Sequence, residues 1–189
     1  CGQDFLVEIQ ISGEEEGGTT LEETVALAQM CEGVVDILQV RAPDADLSHP
    51  IGYNSVDHVP MTLRYAAAIK ESGANVLAEP IGGFQDPDDM DGYVATGKAD
   101  LIGMARAFIC DPHYYEKIWQ GRPDDIVPCI RCNKCHVPSL TGHWVSVCSV
   151  NPVMGLAARM HQLVSAPAEK LRVAVVGGGP AGMEAAIVA

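Results

Sequence analysis

Apolar and polar positions follow two rhythms over the first 120 residues. Compact apolar runs fall at Phe5–Ile11, Val34–Val40, Asn75–Ile81 and Ala99–Met104, lengths that suit strands. Helical spacing lies between them. Leu21, Val25 and Ala28 form one apolar stripe. Ahead of it, Thr20-Leu21-Glu22-Glu23 makes a capping box, in which hydroxyl and carboxylate satisfy free backbone N–H groups. A second helix is predicted from about Pro60 to Glu71, with proline at its start and Gly73 after its end. Asp86-Pro87 opens a third, which Gly97 closes, and Asp111-Pro112 opens a fourth that reaches about Gln120. Four strands, each followed by a helix, predict an α/β fold with right-handed crossovers and a parallel sheet. Half of an eight-stranded βα barrel and part of an open doubly wound sheet both satisfy this pattern.

The rhythm stops after about residue 120. Residues 121–165 are rich in Pro, Asn, Cys, His and Ser, and residues 164–170 read as a linker. Arg172–Val176 then predicts a new strand, followed by a glycine-rich turn and a helix start. The expected organisation is an α/β segment at 1–122, a cysteine-rich segment at 123–165 and the start of a nucleotide-binding domain at 166–189. Cys1 lies just before a strand and Ala189 inside an apolar helix, so the sequence reads as an internal piece of a longer protein, inactive by itself.

Cys129, Cys132 and Cys135 are each separated by two residues, and twelve residues separate Cys135 from Cys148. Four thiolates are the usual complement of a [4Fe–4S] cluster, and three closely spaced cysteines can wrap one corner of it. A zinc-stabilised interaction module is the alternative, although zinc sites usually take two separate CxxC knuckles. His136 and His143 lie within the segment and read as surface residues. Cys1, Cys31 and Cys110 read as small packing residues.

Two glycine turns suggest phosphate binding. Val173–Val176 leads into Gly177-Gly178-Gly179-Pro180-Ala181-Gly182, a GxGxxG pattern between a strand and a helix. Gly177 allows the tight turn, Gly179 lets a pyrophosphate approach, and Gly182 permits close helix packing. The pattern does not separate FAD, NAD(P)H and ADP. Gly82-Gly83 follows the third strand and Arg106 ends the fourth. In a barrel, both would stand on the face where the last loops commonly hold a phosphate.

Charge and composition narrow the function. The 189 residues carry 25 acids and 12 bases, a net charge of −13, which disfavours nucleic acid as a partner. No apolar run reaches the length of a membrane span. Seven cysteines, an odd number in a tight pattern, suit metal ligation in a reducing cytoplasm better than a secreted disulfide framework.

Three signals in this order resemble one family. Gly82-Gly83-Phe84-x-Asp86-Pro87, Ala99–Arg106 and Asp111-Pro112 resemble the end of an old-yellow-enzyme-type FMN barrel. Cys129-Ile130-Arg131-Cys132-Asn133-Lys134-Cys135, with Cys148, resembles the iron–sulfur segment of the trimethylamine dehydrogenase and 2,4-dienoyl-CoA reductase family. Val173–Ala186 resembles the start of that family's C-terminal flavin domain. The resemblance implies the C-terminal half of a TIM barrel, then the cluster segment, then a Rossmann-like domain. It implies a flavin-dependent oxidoreductase that transfers electrons between a small organic substrate, FMN, the cluster and FAD or ADP, with NAD(P)H or an external acceptor as partner.

Residue by residue, the resemblance assigns Gly82, Gly83, Ala105 and Arg106 to the FMN phosphate and the four cysteines to the cluster. The cysteine gaps look more like those of the amine dehydrogenases. One departure is Gln10, where the family usually has an arginine facing the flavin pyrimidine; it implies a lower flavin potential. The loop at 41–59 lacks the aromatic-His-acidic pattern expected of a dienoyl-CoA reductase, leaving Asp46, His49, Tyr53 and His58 as candidates to face substrate. Half a barrel has open strand edges, which predict association into a homo-oligomer.

Overall fold

The computed structural model describes residues 5–42, 60–135, 146–156, 159 and 169–189. Cys1, the loop candidates Asp46, His49, Tyr53 and His58, and both His136 and His143 lie outside the described residues. The chain divides into two compact units, Cys1–Met154 and Gly155–Ala189.

The first unit is built on a parallel sheet of three strands: β1 (Glu8–Ser12), β2 (Ile37–Arg41) and β3 (Leu77–Ile81), in the order β1-β2-β3. Helix α1 (Leu21–Met30) joins the first two and α2 (Met61–Glu71) precedes the third. The predicted capping box forms on α1. Thr20 Oγ1 accepts from Glu23 N at 3.2 Å, and Glu23 Oε2 accepts from Thr20 N at 2.9 Å. Helix α3 (Pro87–Ala95) starts as predicted, with the Asp86 carboxylate accepting from the N–H groups of Asp88 and Asp89.

The two faces of the sheet differ. Leu38, Val40, Ala78 and Pro80 point to one side and are buried, as are Leu63, Ala66 and Ile69 of α2. Each buried Leu or Ile stabilises this layer by about 1.5–3 kcal/mol. Tyr65 is also buried, and its ring lies where any side chain at Gly13 would be. The register aligns Gln10 with Gln39 and Gln39 with Glu79 on the opposite face. That face is polar. Gln10 Nε2 donates to Gln39 Oε1, and Gln39 Nε2 donates to Glu8 Oε1 at 3.0 Å. Burial pushes the Glu79 carboxyl above its ordinary range, a hydrogen bond from Gln39 opposes this, and Glu8 adds to it.

Three sequence expectations for this first unit need correction. Ala99–Met104 is not a full strand: only Gly103 bridges to Ile81. Asp100 N and Gly103 N still donate to the carbonyls of Ala78 and Pro80. The Asp100 carboxylate, however, takes the Ala78 N–H at 2.9 Å, where a main-chain acceptor would complete a ladder. Asp111 does not cap its helix. A short helix that the periodicity did not reveal, α4 (Arg106–Cys110), precedes it, and α5 (Tyr114–Trp119) begins only at Tyr114. Asp111 is buried instead, with an ion pair to Lys117 at 2.6 Å and N–H donors from His113 and Val127. Arg106 therefore starts a helix rather than ending a strand.

In the second unit, residues 172–176 pair with no strand among the described residues, so the strand expected at Arg172–Val176 does not form a ladder. A strand needs a neighbour to complete its backbone hydrogen bonds. Gly177 follows at φ +113, then α6 (Pro180–Val188), with Gly179 as N-cap and Pro180 in its first turn.

Candidate functional site

The C-terminal ends of the parallel strands open into a cleft of about 420 Å³. β1 contributes Gln10, β2 contributes Arg41, and the turn after β3 contributes Gly82 and Gly83. Ala105 and Arg106 line it from the start of α4. The five cofactor residues assigned within the α/β segment, Gln10, Gly82, Gly83, Ala105 and Arg106, thus share one cleft. Parallel strands bring this about, because all their C-terminal ends, and the turns that follow, open on the same side.

Gly82 and Gly83 both have left-handed backbones, at φ +106 and +88. Side chains rarely adopt that conformation, whereas glycine does so freely and leaves its N–H exposed to a ligand. Gly103 is constrained differently. A Cβ there would lie 2.8 Å from Glu79 Oε1 and 2.9 Å from Ile81 Cβ, so glycine is what lets this segment lie against β3. Among the described lining residues there are three arginines, Arg41, Arg106 and Arg131, and no carboxylate. In a chain of net charge −13, that concentration of cations suits an anion.

The cysteine run is fastened to the same cleft. Gln85, just after the glycine pair, accepts at its side chain from Cys129 N at 2.7 Å, and its carbonyl accepts from the Tyr114 hydroxyl at 2.6 Å. Arg106 Nη1 donates to Asn133 Oδ1 at 2.6 Å, and Arg131 Nη2 donates to the Gly83 carbonyl at 3.1 Å. Burial pushes the Tyr114 hydroxyl up to about 12, with Asp86 adding to it. Tyr114 is therefore a hydrogen-bond donor at all ordinary pH. Arg41, Gln85, Arg131 and Asn133 escaped the sequence reading. The position of Arg41 at a strand end was its one available signal; the others are brought in by contacts from distant parts of the chain.

Cys129, Cys132, Cys135 and Cys148 are free thiols. Arg131 N donates to Cys129 Sγ and Val150 N to Cys148 Sγ, both at 3.4 Å. Cys132 Sγ is hydrogen-bonded to Ser149 Oγ at 3.2 Å; this contact and the Lys134 N–H hold its thiol below the ordinary range. Burial raises Cys135, Arg106 opposes that rise, and Cys129 and Cys148 add to it. Cys129 and Cys148 thus both lie near Cys135, and the Ser149 contact ties Cys132 to the residue that follows Cys148 in sequence. N–H donors to sulfur are the contacts that stabilise thiolate ligands, so the donor set fits a four-thiolate cluster. Among the described residues, however, no group of three His, Cys, Asp or Glu side chains is arranged to hold a metal ion. Cys110 is buried beside them and donates to the Pro128 carbonyl at 3.4 Å. Burial, then Cys148 and Cys129, push its thiol up to about 12, so it stays protonated.

In the second unit, Gly177, Gly179 and Gly182 form one turn. A Cβ on Gly182 would overlap the Gly177 carbonyl oxygen, so the helix can approach residue 177 this closely only because residue 182 is glycine. The left-handed Gly177 and the N-cap Gly179 complete the turn.

Comparison with known proteins agrees with this geometry. Residues 1–125 match the NADH:flavin oxidoreductase / NADH oxidase family. The chain is 34% identical over 192 residues to an NADH oxidase of Thermoanaerobacter brockii, covering all of this chain and 29% of that protein. It is 33% identical over 204 residues to an N,N-dimethylglycine/sarcosine dehydrogenase of Chromohalobacter salexigens, covering all of this chain and 28% of that protein. A solved structure of a 2-naphthoyl-CoA reductase bound to 2-naphthoyl-CoA superposes with a TM-score of 0.78 at 29% identity, over 95% of this chain and 27% of that one. The chain therefore spans less than a third of the length of these relatives. With the family match over residues 1–125, about two thirds of its length, the chain belongs to the NADH:flavin oxidoreductase / NADH oxidase family.

Proposed function

We propose that this chain is part of a cytoplasmic oxidoreductase that uses FMN, a [4Fe–4S] cluster and a second, adenine-containing nucleotide. The three-stranded sheet and the bridged segment after it are read as the second half of a TIM barrel. The cysteine segment would follow it, and then the start of a Rossmann-like domain for FAD or ADP. When bound, the cofactors supply hydride and single-electron transfer between a small organic substrate and NAD(P)H or an external acceptor.

The chain's own residues have distinct tasks. Gly82 and Gly83 offer N–H groups to the FMN phosphate, and Arg106 adds a planar fork of donors. Ala105 keeps the adjacent wall small. Gln10, on the polar face of the sheet, would meet the flavin ring with a neutral amide. Cys129, Cys132, Cys135 and Cys148 would hold the cluster. The tethers from Gln85 to Cys129 and from Arg106 to Asn133 keep that segment against the phosphate cleft. Gly177, Gly179 and Gly182 would admit the pyrophosphate of the second nucleotide.

The observation that carries this reading is the cleft itself, which is lined by all five cofactor residues that the family resemblance assigned within the α/β segment and by the first cysteine of the run. The test is an absorption spectrum of the anaerobically purified full-length protein, before and after reduction, with metal analysis. Flavin bands over a broad iron–sulfur shoulder, both bleaching on reduction, are expected. A colourless protein containing zinc would overturn the reading and make the cysteine segment a structural staple.

A further inference from the structure

Arg131 is out of keeping with its backbone. It has a left-handed conformation, at φ +55, as Asn133 does at +56. Asparagine tolerates that region because its short side chain can bond locally; a long side chain gains nothing there. Strain of this kind persists where surrounding contacts demand it, and it gathers at ligand sites. The demand on Arg131 is visible. Its guanidinium reaches out of the cysteine run, donates to the Gly83 carbonyl at 3.1 Å, and lines the cleft beside Arg106. The cleft thereby draws cations from three separate places: the end of β2, the start of α4 and the cysteine run. A guanidinium carries five N–H donors in a fixed fork, so a bond to a carbonyl is compatible with a second one to a phosphate oxygen.

We propose that Arg131 is a further phosphate-binding residue of the mononucleotide site, lent to it by the cysteine run. This rests on the FMN reading given above. The run then completes the cleft as well as holding its own group. Ordering the run aids phosphate binding, and phosphate binding aids order in the run by the same factor.

The test compares FMN with riboflavin, which lacks the phosphate. Flavin is removed from the full-length protein under anaerobic conditions, and the two ligands are titrated back by fluorescence. In R131G the dissociation constant for FMN should rise about tenfold or more, the size of one charge-assisted hydrogen bond. That for riboflavin should move little. R131N, which also tolerates the left-handed backbone, should give the same pattern, and R131K should recover part of the loss by keeping the charge. Iron content and thermal midpoint of both variants are measured alongside and should not fall, since glycine and asparagine relieve the backbone. Equal weakening of FMN and riboflavin would overturn the proposal and leave Arg131 a staple between two loops. Unchanged FMN affinity would overturn it as well. Failure of the unmodified protein to prefer FMN over riboflavin would instead bring down the FMN reading beneath it.

Discussion

The chain carries two glycine turns, each suited to a phosphate, and the turns are built differently. The turn at Gly82-Gly83 is a meeting place. Its left-handed backbone ends a strand, and its cations come from residues 41, 106 and 131. Gln85, Tyr114 and Cys129 hold it in place through contacts that cross up to 44 residues of sequence. The turn at Gly177 is local. Gly177, Gly179 and Gly182 lie within six residues, no cation is adjacent in sequence, and the nine-residue helix α6 supplies the N–H groups. In the proposed reading, one turn would attract its phosphate with side-chain charge, the other with backbone donors and a helix end. The first should therefore fail through distant substitutions and through salt. The second should fail through its own glycines.

The largest expected effect is at Asp111, which supports only the first turn. D111A leaves the Lys117 ammonium without its carboxylate, with only the Asp125 carbonyl as partner in a mostly buried site, and frees the Val127 N–H just ahead of Cys129. Removing one partner of a buried pair costs about 3–5 kcal/mol, to be read as a lower chemical-denaturation midpoint for the first unit in the full-length protein. The pH dependence follows. Burial opposes the charged form of Asp111, but Lys117 and the N–H groups of Val127 and His113 outweigh it and hold the carboxyl below its ordinary range. A depressed acid stabilises the fold above its unfolded value of about 3.9. That stability is lost as pH falls from there through the folded value. D111N should flatten this acid limb.

R106A comes next. Losing a charge-assisted contact weakens binding by about 1.5–3 kcal/mol, so FMN affinity should drop about tenfold to a hundredfold, with the second nucleotide unaffected. G182A is the matching change in the other turn. The added methyl overlaps the Gly177 carbonyl oxygen, and forcing the helix back costs about 1–3 kcal/mol. Adenine nucleotide should be lost while FMN remains. The smallest effect is electronic. Q10R places a positive charge on the polar face that the proposed flavin would meet, which would favour the more negative reduced form and should raise the FMN midpoint potential. About 30 mV corresponds to 1.4 kcal/mol for a two-electron couple. An unchanged potential in a redox titration would remove Gln10 from the flavin environment.

The sequence disclosed what is local. The caps at Thr20 and Asp86 were readable because each acceptor and its donor lie within three residues. The cysteine spacing and both glycine turns were readable for the same reason. What stayed hidden depends on distant partners. Ala99–Met104 has the apolar content of a strand, yet the Asp100 carboxylate competes for the neighbouring N–H of Ala78. Asp111-Pro112 has the form of a helix cap, but the Lys117 ammonium and two backbone donors draw the carboxylate inward. Helix α4 is only five residues long, too short for a period to emerge. Arg131 sits in sequence inside a cysteine motif, and only its reach to Gly83 points to a second use.

The most direct test of two separately built phosphate sites is to count the nucleotides that acid releases from the full-length protein. The anaerobically purified protein, R106A and G182A are compared. The account predicts FMN and an adenine nucleotide from the unmodified protein, loss of FMN alone from R106A, and loss of the adenine nucleotide alone from G182A. Release of no FMN from the unmodified protein, or loss of the same nucleotide from both variants, would contradict it.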